Sequence, residues 1–159
     1  MIIESFATIM WKEIKTQNDI ENLMQEYFGF HDSCIVSVLY QSGAKVDENE
    51  AMLFGGPSEH IVDIVLHSQW KPPVTLRFTG VRKCNIAGWH DNYSCEIYEA
   101  YIAFHTDLLG KARDDRLVVW ADGHFNPSQY IEEKIISPTN SNLTYVVAEK
   151  MFWQTVSNL

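Results

Sequence analysis

Cysteine is scarce in this sequence. Three residues, Cys34, Cys84 and Cys95, occur among 159, and no CxxC pair is present. An odd number of scattered cysteines argues against a disulfide framework, which is typical of small secreted domains. We therefore predict three free thiols and a reducing compartment.

Basic residues are also few. Lys and Arg number 12 against 21 Asp and Glu, and the formal net charge is −9. Because binding to a phosphate backbone needs clustered Lys and Arg, this balance argues against a nucleic-acid partner. It is better suited to a cationic protein partner, which an acidic surface attracts over a distance.

The sequence shows no pattern typical of a targeting segment or of a membrane-spanning segment. The first residues, MIIESFATIMWKEIK, place Glu4 early and have no basic stretch before an apolar core, unlike a signal peptide. No run approaches the ~18 apolar residues of a spanning helix. We expect a cytoplasmic protein without a membrane partner.

Common catalytic motifs are absent too. The sequence contains no Walker loop, GxGxxG, GxSxG or HExxH. Its His/Asp pairs supply two metal ligands at most, whereas zinc normally needs three or four. The pairs are Asp63 and His67, His90 and Asp91, His105 and Asp107, and Asp122 and His124. We predict no metal and no cofactor, and the balance is against an enzyme.

Apolar residues are abundant, at 46% hydrophobic and 13% aromatic. A chain of this length and composition can bury its own core, so we expect a single domain over residues 1–159. The sequence does not indicate an oligomeric state.

One helix is predicted over residues 18–28. Asn18 is positioned to cap it, Glu21 follows three residues later as in a capping box, and Gly29 can end it. Its apolar stripe consists of Ile20, Leu23, Met24 and Tyr27.

Period-two alternation predicts strands after the helix, and the short apolar run 117–121 and the β-rich start of 143–153 predict two more. They fall at 34–40, 61–67, 74–79, 95–106, 117–121 and the start of 143–153, with 148–151 ambiguous between strand and helix. Residues 41–59 are predicted to be a long loop with one short element at 51–54, and long loops are often functional. The predicted core of the sheet is Val36, Val38, Val62, Ile64, Leu66, Leu76, Phe78, Ile102 and Phe104.

Strands that cluster rather than alternate with helices indicate an α+β fold. We predict a mostly antiparallel sheet of about five to seven strands. One main N-terminal helix packs on it.

The most distinctive polar motif, FHDS, lies at the junction between the helix and the first long strand. His31 and Asp32 there have two interpretations. They can be an acid–base or ligand-binding pair, or they can fasten the turn through backbone hydrogen bonds. Adjacent residues of a strand point to opposite faces, which favours the structural interpretation unless the backbone bends.

A second candidate binding element is the loop Trp89-His90-Asp91. Exposed Trp is enriched at binding hot spots. Alternatively, Trp89 packs on the core.

Several segments together resemble a group of small uncharacterised bacterial proteins with an FHD(S/A) signature, some of them similar to immunity proteins of polymorphic-toxin systems. They are WKEI, NDIENLM, FHDS, VTLRF and TYVVAEKMFW. The resemblance implies a bacterial protein that binds and blocks a toxin. It implies no catalytic residues.

Two functions therefore stand at this point. The first is a non-enzymatic binding protein, an immunity protein for a cationic toxin. The alternative is a small enzyme or ligand-binding domain with a His/Asp pocket around His31 and Asp32. Convergence of these two residues with His90 or His124 in one pocket would favour the alternative.

Overall fold

The computed structural model describes residues 10–88, 94–106, 108, 116–127 and 142–156. Within these residues it has one α-helix, α1 (Gln17–Glu26), and ten strands. The strands are β1 (Lys12–Glu13), β2 (Ser33–Gln41), β3 (Lys45–Val46), β4 (Met52–Leu53), β5 (Ile61–Ser68), β6 (Val74–Asn85), β7 (Glu96–Ile97), β8 (Tyr101–His105), β9 (Leu117–Ala121) and β10 (Tyr145–Thr155).

Eight of these strands form one curled antiparallel sheet. Its order is β7-β2-β5-β6-β10-β9-β8, with β1 also paired to β10, while β3 and β4 form a separate hairpin. The α+β class and the antiparallel sheet are confirmed. The predicted count of five to seven strands is too low, and α1 follows a short strand instead of opening the fold. No helix in the described ranges is long and apolar enough to cross a bilayer.

Helix α1 begins earlier than predicted. Its N-cap is Thr16, whose hydroxyl accepts from Asp19 N (3.2 Å), while the Asp19 carboxylate accepts from Thr16 N (2.9 Å). This reciprocal pair is a capping box, so Asn18 and Glu21 lie inside the helix. The pairs Thr16/Asp19 and Asn18/Glu21 both fit the spacing of a capping box. The sequence pattern therefore allows two start positions for the helix.

The core lies between α1 and the concave face of the sheet. Ile20, Leu23 and Tyr27 of the helix are buried against apolar residues of the sheet. Six predicted core residues are confirmed as buried: Val62, Ile64, Leu66, Leu76, Phe78 and Ile102. Val38 and Phe104 are partly buried against the same cluster.

The first long strand contains a bulge that the sequence did not reveal. Between β2 and β5, Ile35 pairs with Leu66 and Ser37 with Val65, so Val36 is an extra residue. Val36 is therefore 52% exposed, and the prediction that it is buried is wrong. An inserted residue reverses the alternation of the strand.

Alternation predicts that Cys34, Val36, Val38 and Tyr40 share one face of this strand, but the bulge divides that set. Cys34 precedes the bulge and is exposed on the outer face, whereas Val38 and Tyr40 follow it and pair with the buried Ile64 and Val62.

Two further segments differ from their predicted form. The run 95–106 is interrupted after Ile97, so Tyr98 is 79% exposed and does not share the face of Ile102. Residues 148–151 are strand throughout, because this part of β10 pairs along β6, with Lys150 opposite Thr79 and Met151 opposite Phe78. Within the predicted long loop, β4 coincides with the expected short element.

Candidate functional site

The FHDS junction has an unusual backbone. Phe28, Gly29 and Phe30 have positive φ values of 54°, 65° and 60°, and Asp32 has 59°. For residues with a side chain this conformation costs about 1–2 kcal/mol each, so the neighbours must hold it in place. Buried Phe30 stacks on Tyr27 with ring centroids 5.4 Å apart, and Gly29 O accepts a hydrogen bond from Ala100 N (2.9 Å).

This bend brings His31 and Asp32 together. His31 Nδ1 lies 3.1 Å from Asp32 Oδ1, with the side chains 47% and 30% exposed. His31 and Asp32 are neighbours but do not point to opposite faces of a strand, because both precede β2. The left-handed φ of Asp32 turns the chain before that strand begins.

Asp32 fastens the junction to the turn between β5 and β6. Its Oδ2 accepts from the Trp70 indole Nε1 (3.0 Å), and its backbone O accepts from Gln69 N (3.1 Å). The carboxylate thus binds side chains where we expected backbone N–H groups, and it links the junction to the turn after β5 where we expected a link from the helix to β2. The Trp70 hydrogen bond, aided by His31, lowers the pKa of Asp32 against the opposing effect of desolvation.

Three exposed aromatic rings lie at or beside this junction, and one of them, Trp70, contacts the Asp32 carboxylate. Phe28, Trp70 and Tyr98 are 59%, 66% and 79% exposed, and the His31 ring meets the Tyr98 ring edge to face at 5.0 Å. Together with Asp32, we call these residues the aromatic junction. Large aromatic side chains left in water are typical of binding surfaces.

A cleft of about 370 Å³, the junction cleft, opens beside Asp32. Cys34 is paired across the sheet with His67 on one side and with Glu96 on the other, so the three side chains form a row on the outer face. All three line the cleft, together with Asp32, Ser33, Ser68 and Gln69. Its wall therefore contains two carboxylates and no Lys or Arg.

The other predicted site residues do not join this cluster. Trp89, His90 and Asp91 lie outside the described residues. His124 and Asp122 line a second cleft of about 400 Å³, which Tyr98 of the aromatic junction also lines. The ring of His105 is hydrogen-bonded to the Tyr101 hydroxyl (2.8 Å).

His31 lines neither of these two clefts, although its ring contacts Tyr98, which lines the cleft of His124. Within the described ranges, no three His, Cys, Asp or Glu side chains are placed to hold a metal ion.

A second surface feature is the hairpin of β3 and β4. Its apolar side chains Val46, Met52, Leu53 and Phe54 are 64%, 70%, 42% and 71% exposed, and we call them the apolar hairpin. The tip is ordered by Asp47, whose Oδ1 accepts from Asn49 N (2.9 Å) and Ala51 N (3.0 Å). At the base, the Glu59 side chain accepts from Gly56 N.

Sequence reasoning missed Trp70 and Tyr98. A signal for Trp70 existed, since it stands immediately before Lys71-Pro72-Pro73, a turn where an aromatic side chain has no strand face to occupy. No comparable signal marked Tyr98, because it falls within an alternating run. No protein-family model, curated protein or solved structure matches the chain.

Proposed function

We propose that this protein is a non-enzymatic cytoplasmic binding protein, and that its partner is a cationic protein, in the manner of an immunity protein that blocks a toxin. The observation that carries the proposal is the apolar hairpin. Nucleic acid and membrane are not among the proposed partners.

The apolar hairpin is costly to leave in water. Four large apolar side chains occupy nine consecutive residues, Val46–Phe54, outside the main sheet. Soluble monomers rarely display contiguous apolar surface of this kind, and where they do it commonly marks a protein-binding site. The ordered tip and base supply a preformed shape, which reduces the entropy lost on binding.

The charges around the hairpin favour a basic partner. Its tip bears Glu48 and Glu50, both exposed, beside Asp47. An apolar centre with an acidic rim is complementary to an apolar patch ringed by Lys and Arg. A toxin that acts on nucleic acid would have such a surface, and the net charge of −9 would speed its encounter with this chain.

The test is binding to the purified protein encoded by the gene next to the one for this chain, since a toxin and its immunity protein are encoded side by side. Binding is measured by isothermal titration calorimetry. We expect the double variant Met52→Ser/Phe54→Ser to weaken binding about 100-fold or more, since truncated hot spots often cost 2 kcal/mol or more each. Ile86→Ser is the matched control, because Ile86 is 57% exposed and lies immediately after β6, outside the hairpin.

Three results would count against the proposal. The first is no binding by that gene product. The second is equal weakening by the control variant, and the third is an affinity that does not fall as salt is raised.

A small enzyme or ligand-binding domain remains the second candidate, and the junction cleft is the observation in its favour. Its size falls within the range of about 300–1,000 Å³ typical of small-molecule sites. A role for His31 and Asp32 in catalysis would require that Asp32→Asn abolish turnover while binding to the protein partner is kept.

A further inference from the structure

Two of the three cysteines lie on neighbouring segments of the sheet. Cys34 on β2 pairs with Glu96 on β7, and Cys95 immediately precedes Glu96. The backbone N–H of Ile35 donates to Cys95 O (3.1 Å), so Cys95 lies beside the next residue of β2. Paired Cα atoms are about 4.5–5.5 Å apart and a strand rises about 3.4 Å per residue, which places the Cα atoms of Cys34 and Cys95 roughly 6 Å apart. Disulfides join Cα atoms separated by about 4.4–6.8 Å.

The backbone of Cys95 directs its side chain toward β2. Its φ of 61° is left-handed, a conformation that brings Cβ close to the carbonyl oxygen of the same residue. That oxygen accepts the hydrogen bond from Ile35 N, so the Cys95 Cβ lies on the side of β2. A regular strand would instead turn Cys95 to the face opposite Glu96. The bend therefore brings Cys95 toward the strand that carries Cys34.

The third cysteine, Cys84, is not placed for the same pairing. It lies on β6, and β5 separates that strand from β2. Two interstrand spacings amount to about 9–10 Å, beyond the roughly 7 Å at which a disulfide can still join two Cα atoms. Cys84 also packs against the main core, whereas Cys34 is exposed. The described strands thus bring one pair of cysteines together and leave the third as an internal comparison.

We infer that Cys34 and Cys95 are a site of reversible oxidative modification, at which a low-molecular-weight disulfide such as oxidised glutathione converts the two thiols into a disulfide bond between β2 and β7. The reduced protein keeps three free thiols, and the bond forms when an oxidant of this class is supplied. The inference does not depend on the proposed function, because neither cysteine belongs to the apolar hairpin.

The bond forms in two exchange steps. The sulfur of the exposed Cys34 attacks one sulfur of oxidised glutathione, the glutathione S–S bond breaks, and one glutathione leaves with the proton of the Cys34 thiol. The Cys95 sulfur then attacks the Cys34 sulfur, the bond from Cys34 to glutathione breaks, and the second glutathione leaves with the proton of the Cys95 thiol. The two thiols are oxidised, and the glutathione disulfide is reduced by the same two electrons.

The test exposes the reduced full chain to buffers with an increasing ratio of oxidised to reduced glutathione. Remaining thiols are then alkylated and counted by mass spectrometry, and we expect the loss of two thiols per chain without bound glutathione. Digestion before Asp residues identifies the bond, because Asp63 and Asp91 place the three cysteines in different peptides. Cys84→Ser should form the same bond, and Cys95→Ser should stop at one glutathione attached to Cys34.

A comparison with the unfolded chain measures the contribution of the fold. The folded sheet holds the two cysteines close together, whereas in denaturant they are joined only by a long flexible segment. The ratio of oxidised to reduced glutathione that oxidises half of the chains should therefore be at least about tenfold lower for the folded protein than in denaturant.

Any of four outcomes would overturn the inference. They are three thiols that survive oxidised glutathione, a lasting glutathione adduct at Cys34 in the wild-type chain, a bond that involves Cys84 or a second chain, and equal midpoints for the folded and unfolded protein. Because the wild-type chain supplies all four readings, poor folding of a serine variant would not obscure the answer.

Discussion

Asp63 and Arg77 face each other across β5 and β6 and form a two-pronged ion pair. Arg77 Nε and Nη2 donate to Oδ1 and Oδ2 of Asp63, each at 2.8 Å. The guanidinium also lies 4.6 Å from the ring centroid of Trp11. These contacts are on the sheet face opposite α1, and the hydrogen bonds with Asp63 raise the pKa of Arg77.

Arg77→Lys should lower the free energy of unfolding by about 1 kcal/mol. Lysine keeps the charge but loses the fork and the stacking on Trp11. Urea unfolding measures the change, and Lys83→Arg is a control of the same kind on the same strand. An Arg77→Lys variant as stable as wild type would mean that the fork contributes nothing.

Leu76→Ala should cost about 2–5 kcal/mol, because Leu76 is fully buried in the centre of the sheet. Leu39→Ala is the matched control, since Leu39 is 55% exposed. It should change stability by no more than about 0.5 kcal/mol. Equal losses in the two variants, measured by chemical unfolding, would show that β2 or β6 is wrongly registered.

The three cysteines should all titrate as thiols in denaturant without reductant. In the native protein Cys34, which is exposed, should react with a thiol reagent before Cys84. Burial raises the pKa of Cys84 and so lowers its thiolate fraction. Detection of a single thiol per denatured chain would reveal a disulfide.

Asp32→Ala should lower the thermal midpoint, and His31→Ala should lower it to a similar or smaller degree. Removal of Asp32 leaves both the Trp70 indole and His31 without their acceptor, whereas removal of His31 breaks only one of these contacts. Differential scanning calorimetry measures both. Wild-type stability in both variants, together with lost ligand binding, would make the junction a functional site without a structural role.

The hydrogen bond between Trp70 and Asp32 should make the stability of the fold depend on pH. Because the folded pKa of Asp32 lies below its ordinary value of 3.8, its stabilising effect is complete at pH values above 3.8 and is lost as the pH falls through the folded pKa. Asp32→Asn should therefore flatten the acid limb of the stability curve. Asp19→Asn is the comparison, since backbone hydrogen bonds at the N-terminus of α1 lower the pKa of that carboxylate too.

Local pattern alone predicted several elements well. The strand β5 with its buried face of Val62, Ile64 and Leu66, and the first half of β6, follow from alternation, because a strand packed on one side repeats every two residues. Strand β6 continues past its predicted end at residue 79 to Asn85, and β9 follows from its apolar run, since it is buried at every position. The helix was also predictable, although its start was misplaced because two capping residues compete within three positions.

The sequence by itself determined the amphipathic helix and the alternating strands, which depend on neighbouring residues. It also determined the net negative charge, which depends on composition alone. Only the tertiary structure decided the bulge at Val36, the strand state of 148–151 and the meeting of Asp32 with Trp70. Those features depend on partners far along the chain, 38 residues apart for Asp32 and Trp70. A pattern of period two or 3.6 records which side of an element is buried, but not which distant element covers it, and the candidate site is built from such distant contacts.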